Sequence, residues 1–141
     1  MIRIETSQTE IIEPLLSEVF AAQYKEQFHD ELPKKLEKLA IAATLTDELV
    51  GGLIAKQDFE NLHVSLLAVK PEFQNQGIGS RLLQALSDWA QEEGVINLTL
   101  TTKSYQAVAF YQKNGFSIFG ELPDTPMRGI TKYYLYKRIT K

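Results

Sequence analysis

The stretch Gln74-Asn75-Gln76-Gly77-Ile78-Gly79-Ser80 sets two glycines two positions apart. It lies where an apolar run ending Leu66-Leu67-Ala68-Val69 gives way, through Pro71, to a helical pattern. Glycines at 77 and 79 leave backbone N–H groups unshielded just before a helix N-terminus. Such a terminus carries a partial charge of about +0.5 and suits a phosphate or diphosphate. A plainer reading also stands, in which the turn needs glycine only for positive φ. Two common phosphate loops are excluded. No Gly-Lys-Ser/Thr is present, so the stretch is not a P-loop. Leu82 occupies the place of the third glycine of a dinucleotide fingerprint. The chain has no cysteine, which removes disulfides, thiolate metal sites and a cysteine nucleophile together. Two histidines, His29 and His63, and scattered carboxylates show no metal-ligand spacing.

The surrounding pattern supplies the elements that must hold this loop. Ile2-Arg3-Ile4 alternates like a short edge strand. Ser7 to Glu10 fits a capping box that opens a helix; alternatively residues 7–13 form a looser turn and Pro14 sits in the first turn of a helix running to about Gln23. Asp30 and Pro33 suggest a second helix start carrying Leu36 and Leu39. Three β-branched runs follow, LAIAATLT, ELVGGLIAKQ and NLHVSLLAVK, and read as an antiparallel meander. Gly51-Gly52 inside the second run signals a bulge or a close backbone approach. After the glycine loop, Leu82, Leu83, Leu86, Trp89 and Ala90 recur at helical spacing, and Gly94 ends the helix. Then come the strand VINLTLTT, a short helix with Ala107, Phe110 and Tyr111 on one face, the strand FSIFGEL, the turn-rich PDTPMRG and a final strand GITKYYLYKRI. The order βααβββαβαββ predicts a single α+β domain over residues 1–141 with a mixed central sheet.

Composition narrows the classes further. The chain has 141 residues, of which 44% are apolar and 23% charged, and a formal charge of −3. That balance suggests no nucleic-acid partner. No apolar run approaches the roughly 20 residues of a membrane span. The opening MIRIETSQTEIIEP lacks the apolar core of a signal peptide, so the expected location is cytoplasmic.

Gln-x-x-Gly-x-Gly after a strand and Pro71 resembles the acetyl-coenzyme-A loop of the GNAT superfamily of N-acetyltransferases, with Gln74, Gly77 and Gly79 at the motif positions. Ala107-Val108-Ala109-Phe110-Tyr111-Gln112-Lys113-Asn114-Gly115-Phe116 is similar to the second signature of that family. The resemblance spans nearly the whole chain and implies a three-layer α/β/α fold around a mixed sheet. It also implies transfer of an acetyl group from acetyl-coenzyme A, as co-substrate without metal, to a primary amine of a small molecule or peptide. A homodimer is slightly favoured by the same resemblance. The alternative of the same fold is a domain that binds the acyl carrier and senses or regulates without turnover.

Each role then falls on particular residues. The resemblance implies that Gln74, Asn75, Gln76, Gly77, Ile78, Gly79 and Ser80 hold the diphosphate. The strand 62–70, with Leu67, Ala68 and Val69 as carrier-binding residues, pairs with the pantetheine arm in a gap where it splays from residues 95–103, and main-chain N–H groups near Leu67 and Val69 face the acetyl carbonyl. Ala107, Phe110 and Lys113 complete the carrier site, together with Ser104, which stands where the family usually has asparagine. Tyr111 is the implied general acid to the departing thiolate. Thiol and phenol pKa values near 8.5 and 10 make that exchange nearly balanced. The other reading of Tyr111 is a core tyrosine beside Phe110. An alkyl amine with pKa about 10.4 is neutral only about once in 2,500 at pH 7, so a base or burial is needed. His63, taken to share a strand face with Ser65 and Leu67, is the first candidate. His29, Glu48 and a water chain are the others. The net negative charge favours cationic acceptors. Tyr133, Tyr134, Tyr136 and Ile139 suggest a packed terminal strand or a dimer contact.

Overall fold

Alternating apolar runs need partners on one face, and in the computed structural model, which describes residues 1–28 and 37–139, they find them as a meander. Strands β1 (Glu37–Leu45), β2 (Glu48–Asp58) and β3 (Asn61–Val69) pair antiparallel through short turns. β4 (Asn97–Lys103) joins β3 in parallel, and β6 (Lys132–Arg138) lies antiparallel between β4 and β5 (Ser117–Leu122). The result is a six-stranded mixed sheet in the order β1-β2-β3-β4-β6-β5. It is flanked by helices, as the α+β reading expected.

By contact the chain forms two compact units, Met1–Lys34 and Lys35–Lys141. The first contains α1 (Thr9–Phe28), which runs through Pro14 and extends five residues past the expected end at Gln23. Pro14 costs one backbone hydrogen bond, to the carbonyl four residues back. Glu10 accepts from the Thr9 hydroxyl at 3.1 Å, and the Ser7–Glu10 capping box does not form. Residues 2–4 are not a strand either, since they have no ladder partner and stay exposed. The second predicted helix start and His29 lie outside the described residues, apart from Leu39, which belongs to β1.

In the second unit, α2 (Ile78–Glu92) covers the central strands. Its apolar stripe, Leu82, Leu83, Leu86 and Ala90, is buried with Leu53, Leu62, Leu98 and Leu135 of the sheet. Gly94, at φ +75°, ends it. Val95 N–H then reaches back to the Ala90 carbonyl at 2.9 Å, a Schellman closure. α3 (Val108–Lys113) closes the same way, with Gly115 at φ +94° and Phe116 N–H bonded to the Tyr111 carbonyl at 3.0 Å. Lys137 reaches from β6 to the Ser87 hydroxyl of α2 at 3.1 Å. Among the described residues no helix is long and apolar enough to cross a membrane.

Leu98 has no exposed surface and sits where α2 meets the sheet. Leu98→Ala should lower unfolding stability by about 2–5 kcal/mol, measured by urea titration. A loss below about 1 kcal/mol would show that this contact is not central to the core.

Candidate functional site

The decisive local event is a bulge at Ser65. Val64 pairs with Ala55 and Leu66 with Ile54, so Ser65 is the extra residue on β3. A bulge bends its strand and shifts the alternation by one position. Leu62 and Val64 face the core before it, and Leu67 and Val69 pack against the same core after it. The expectation that His63, Ser65 and Leu67 share one face is therefore corrected: Leu66 and Ala68 continue the face of His63.

Beyond the bulge β3 follows β2 and leaves β4. The β3–β4 ladder contains only the pairs from Asn61↔Asn97 to His63↔Thr99. Gly51 permits this by close approach to β3, and Gly52 makes a like approach to β1. A Cβ at Gly51 would lie 2.9 Å from the Ala68 carbonyl oxygen, and one at Gly52 would lie 3.1 Å from that of Ile41. The far half of β3 thus offers unpaired main-chain groups to the gap.

A cleft of about 840 Å³ occupies that gap and continues to the start of α2. Leu67, Ala68 and Val69 line it from β3; Gln74, Asn75, Gly77, Ile78, Gly79 and Ser80 line it from the glycine loop; Ala107, Phe110 and Tyr111 close its far wall. Gln76, Ser104, Lys113 and His63 are not part of the lining. Ser104 is engaged elsewhere: its N–H donates to the Thr131 carbonyl at 2.8 Å, and its hydroxyl accepts from Thr131 N–H at 3.2 Å. Val64, Ser65, Leu66, Leu100, Thr101 and Thr102 line it from within the two strands expected to flank the gap, and the sequence reading missed Phe73. The β4 side of a splayed pair was legible once the gap was expected. It also missed Gln106, whose Oε1 accepts from Lys103 N–H at 2.9 Å and from the Thr102 hydroxyl at 3.3 Å, fixing the turn before α3.

The two motif glycines serve different ends. Gly77 has φ +78° and caps α2, and a Cβ there would meet open space. Its role is conformational, and its carbonyl accepts the first helical bond from Arg81 N–H at 3.1 Å. Gly79 is a matter of room, since a Cβ would stand 2.9 Å from Phe110 Cζ. Gln74 donates from Nε2 to the Val69 carbonyl at 3.0 Å, tying the loop to the end of β3. The N–H groups of the first turn of α2 have no intrahelical acceptors, and Ile78, Gly79 and Ser80 line the cleft. A diphosphate on a thin arm that carries amide groups fits this shape. The donors sit at one end and an open strand edge runs along the other.

Tyr111 is packed edge-on against Phe110 (5.2 Å between centroids) and Phe116 (5.9 Å). Burial raises its pKa above the usual phenol value, so the hydroxyl stays protonated at neutral pH. That hydroxyl has no hydrogen-bond partner among the described residues. His63 is exposed, with Nδ1 3.0 Å from Thr99 Oγ1. Partial burial, then the cations of Lys132 and Lys56, lower its pKa and favour neutral imidazole. Among the described residues no cluster of three potential ligands could hold a metal ion.

Comparison with known proteins agrees with this architecture. The profile of the Acetyltransferase (GNAT) family matches residues 7–116. The chain is 39% identical over 93 residues to a blasticidin-S acetyltransferase of Streptomyces morookaense, covering 65% of this chain and 68% of the relative. It is 30% identical over 105 residues to a peptidyl-lysine N-acetyltransferase of Salmonella typhimurium, covering 74% and 66%. The crystal structure of an acetyltransferase from Bacillus cereus superposes with a TM-score of 0.79 at 27% identity, covering 97% of each chain.

Separate roles for the two glycines predict separate phenotypes. Gly77→Ala should cost about 1–2 kcal/mol of stability from left-handed strain and leave the Phe110 and Tyr111 ring resonances in place. Gly79→Ala should shift those resonances. NMR spectra of the two variants that perturb the rings equally would refute this division.

Proposed function

Since the chain belongs to the acetyltransferase (GNAT) family, we propose that it transfers an acetyl group from acetyl-coenzyme A directly to a primary amine, acting as one N-acetyltransferase domain over residues 1–141. The family match runs from residue 7 to 116, across both compact units. One observation carries the catalytic reading: the gap between β3 and β4 is continuous with the α2 N-terminus, and Tyr111 stands on its wall.

Each chemical need has a group of this chain near it. Main-chain N–H groups at the start of α2 hold the diphosphate, and the freed edge of β3 takes an extended arm by strand-like pairing. Edge N–H groups of Leu67 and Val69 polarise the acetyl carbonyl, the same service an oxyanion hole gives. Gln74 and Gln106 fix the two ends of the cleft. Tyr111 gives its proton to the thiolate as the carbon–sulfur bond breaks, and the amine nitrogen forms the new amide bond. With no cysteine in the chain, no acyl-enzyme through that residue forms, and the acetyl group moves within a ternary complex. His63 is neutral and outside the cleft lining, so it takes the amine proton only through water. The blasticidin-S and peptidyl-lysine acetyltransferases differ in acceptor, which leaves small-molecule and peptide amines both open here.

Tyr111→Phe removes no internal hydrogen bond, so stability should hold while kcat falls by about 10²-fold. Because burial raises the Tyr111 pKa, the acid form is lost only as pH climbs past that raised value, and wild-type kcat should show no phenolic decline below pH about 10. Coenzyme A release across an amine panel, with chemistry shown to limit the rate, checks both. Wild-type turnover in Tyr111→Phe removes the acid role. Tight carrier binding with no turnover on any amine would replace the enzyme with a sensor.

A further inference from the structure

The sheet face turned away from α2 carries cations in register. Lys38 on β1 lies opposite Lys56 on β2, and Lys56 lies opposite His63 on β3. Lys103 at the end of β4 lies opposite Lys132 at the start of β6. Like charges facing each other across strands destabilise a sheet, and among the described residues none of these lysines forms an ion pair. Among the described residues the ion pair is Arg3–Glu5, far along the chain from this face. Asp58, on the same face of β2, stands at the hairpin end opposite Asn61 and forms no ion pair.

Lys132 is tied to the cleft by two steps. Its Nζ stands 5.4 Å from the centre of the Tyr134 ring. Tyr134 is the register partner of Thr101, and Thr101 lines the cleft. Paired residues on adjacent strands lie about 5 Å apart at Cα, so the cation is one pair removed from the cleft wall. The cleft also passes through the sheet. Leu100, Thr102 and Tyr111 line it on the α2 side, while Leu66, Ala68 and Thr101 belong to the other face. With the donor loop on the α2 side, the acceptor amine has to enter from the face of the lysines.

We propose that the acceptor is a primary amine that also bears an anionic oxygen group, carboxylate or phosphate, held by Lys132 beside its register partner Lys103. This rests on the acetyl-transfer reading above and names the substrate class for it. The net charge of −3 points the other way at long range. Over a Debye length of about 8 Å, the acceptor meets the local lysines rather than the whole chain.

Two measurements on the full chain test it. In the first, the His63 ring resonances are followed by NMR while sodium acetate or inorganic phosphate replaces chloride at fixed ionic strength. Burial first, then the charges of Lys132 and Lys56, lower the His63 pKa, and a bound anion offsets the Lys132 share, so a saturable shift and a rise in its midpoint are expected. Acetate and phosphate separate the two anion sources by their relative affinity. Lys132→Met, which keeps the stem and removes the charge, should abolish saturation, and Lys132→Arg should restore it. Linear shifts, or equal shifts in Lys132→Met, overturn the site. In the second, coenzyme A release is compared for L-ornithine and putrescine, which differ by one carboxylate. At least a tenfold higher kcat/KM for ornithine is expected, narrowing to within twofold in Lys132→Met. Equal rates, or a preference for putrescine, overturn the substrate class. If His63 responds to anions but neither these nor any other amine is acetylated, the anion site stands and the transferase reading fails.

Discussion

Two parallel strands that separate after three paired residues leave a row of peptide groups without partners. Inside a protein such groups demand satisfaction from water, from another chain or from a ligand. The separation of β3 from β4 is the constraint around which the rest of the second unit is arranged. It is produced locally. The bulge at Ser65 turns the strand, and Gly51 lets it turn toward β2 by removing the side chain that would block the approach. It is tolerated because the other half of the sheet is secured by Leu62, Leu98 and Leu135 under α2, all without exposed surface. In the open half, Gln74 Nε2 donates to the Val69 carbonyl.

The cleft that results joins two kinds of chemistry. Its polar end is made of backbone, at the start of α2. Its other end is walled by a side chain, Tyr111. Helix closure connects them to the scaffold: the Tyr111 carbonyl accepts from Phe116 N–H, and its ring is wedged between Phe110 and Phe116. A tyrosine held at both backbone and ring, with its hydroxyl unengaged, is positioned without being consumed by structure. Ser104 shows the opposite case, because its hydroxyl is spent on Thr131.

Periodicity made the sheet strands legible, as it did the long amphipathic helix and its terminating glycine. Each is set by burial of one face, and alternation or 3–4 spacing records that directly. The glycine loop and the Tyr111 segment were legible as motifs, and the cleft gathers most of their residues. What the residues concealed was phase. A bulge leaves no compositional mark, so Ser65 moved Leu67 to the core face and left His63 on the other. Ile2-Arg3-Ile4 alternates like a strand but lacks a neighbour, and alternation alone does not supply one. The walls contributed by Leu66, Thr101 and Gln106 depend on which strands diverge, a property of pairing rather than of any single segment.

The contact between Gly79 and Phe110 joins segments thirty-one positions apart in the chain, one from each signature. Neither is free to change size alone. A larger residue at 79 asks for a smaller ring at 110, and a smaller ring at 110 leaves a void beside the glycine loop. Paired replacements at these positions should therefore be tolerated where single ones are not, which makes them a natural lever for reshaping the cleft.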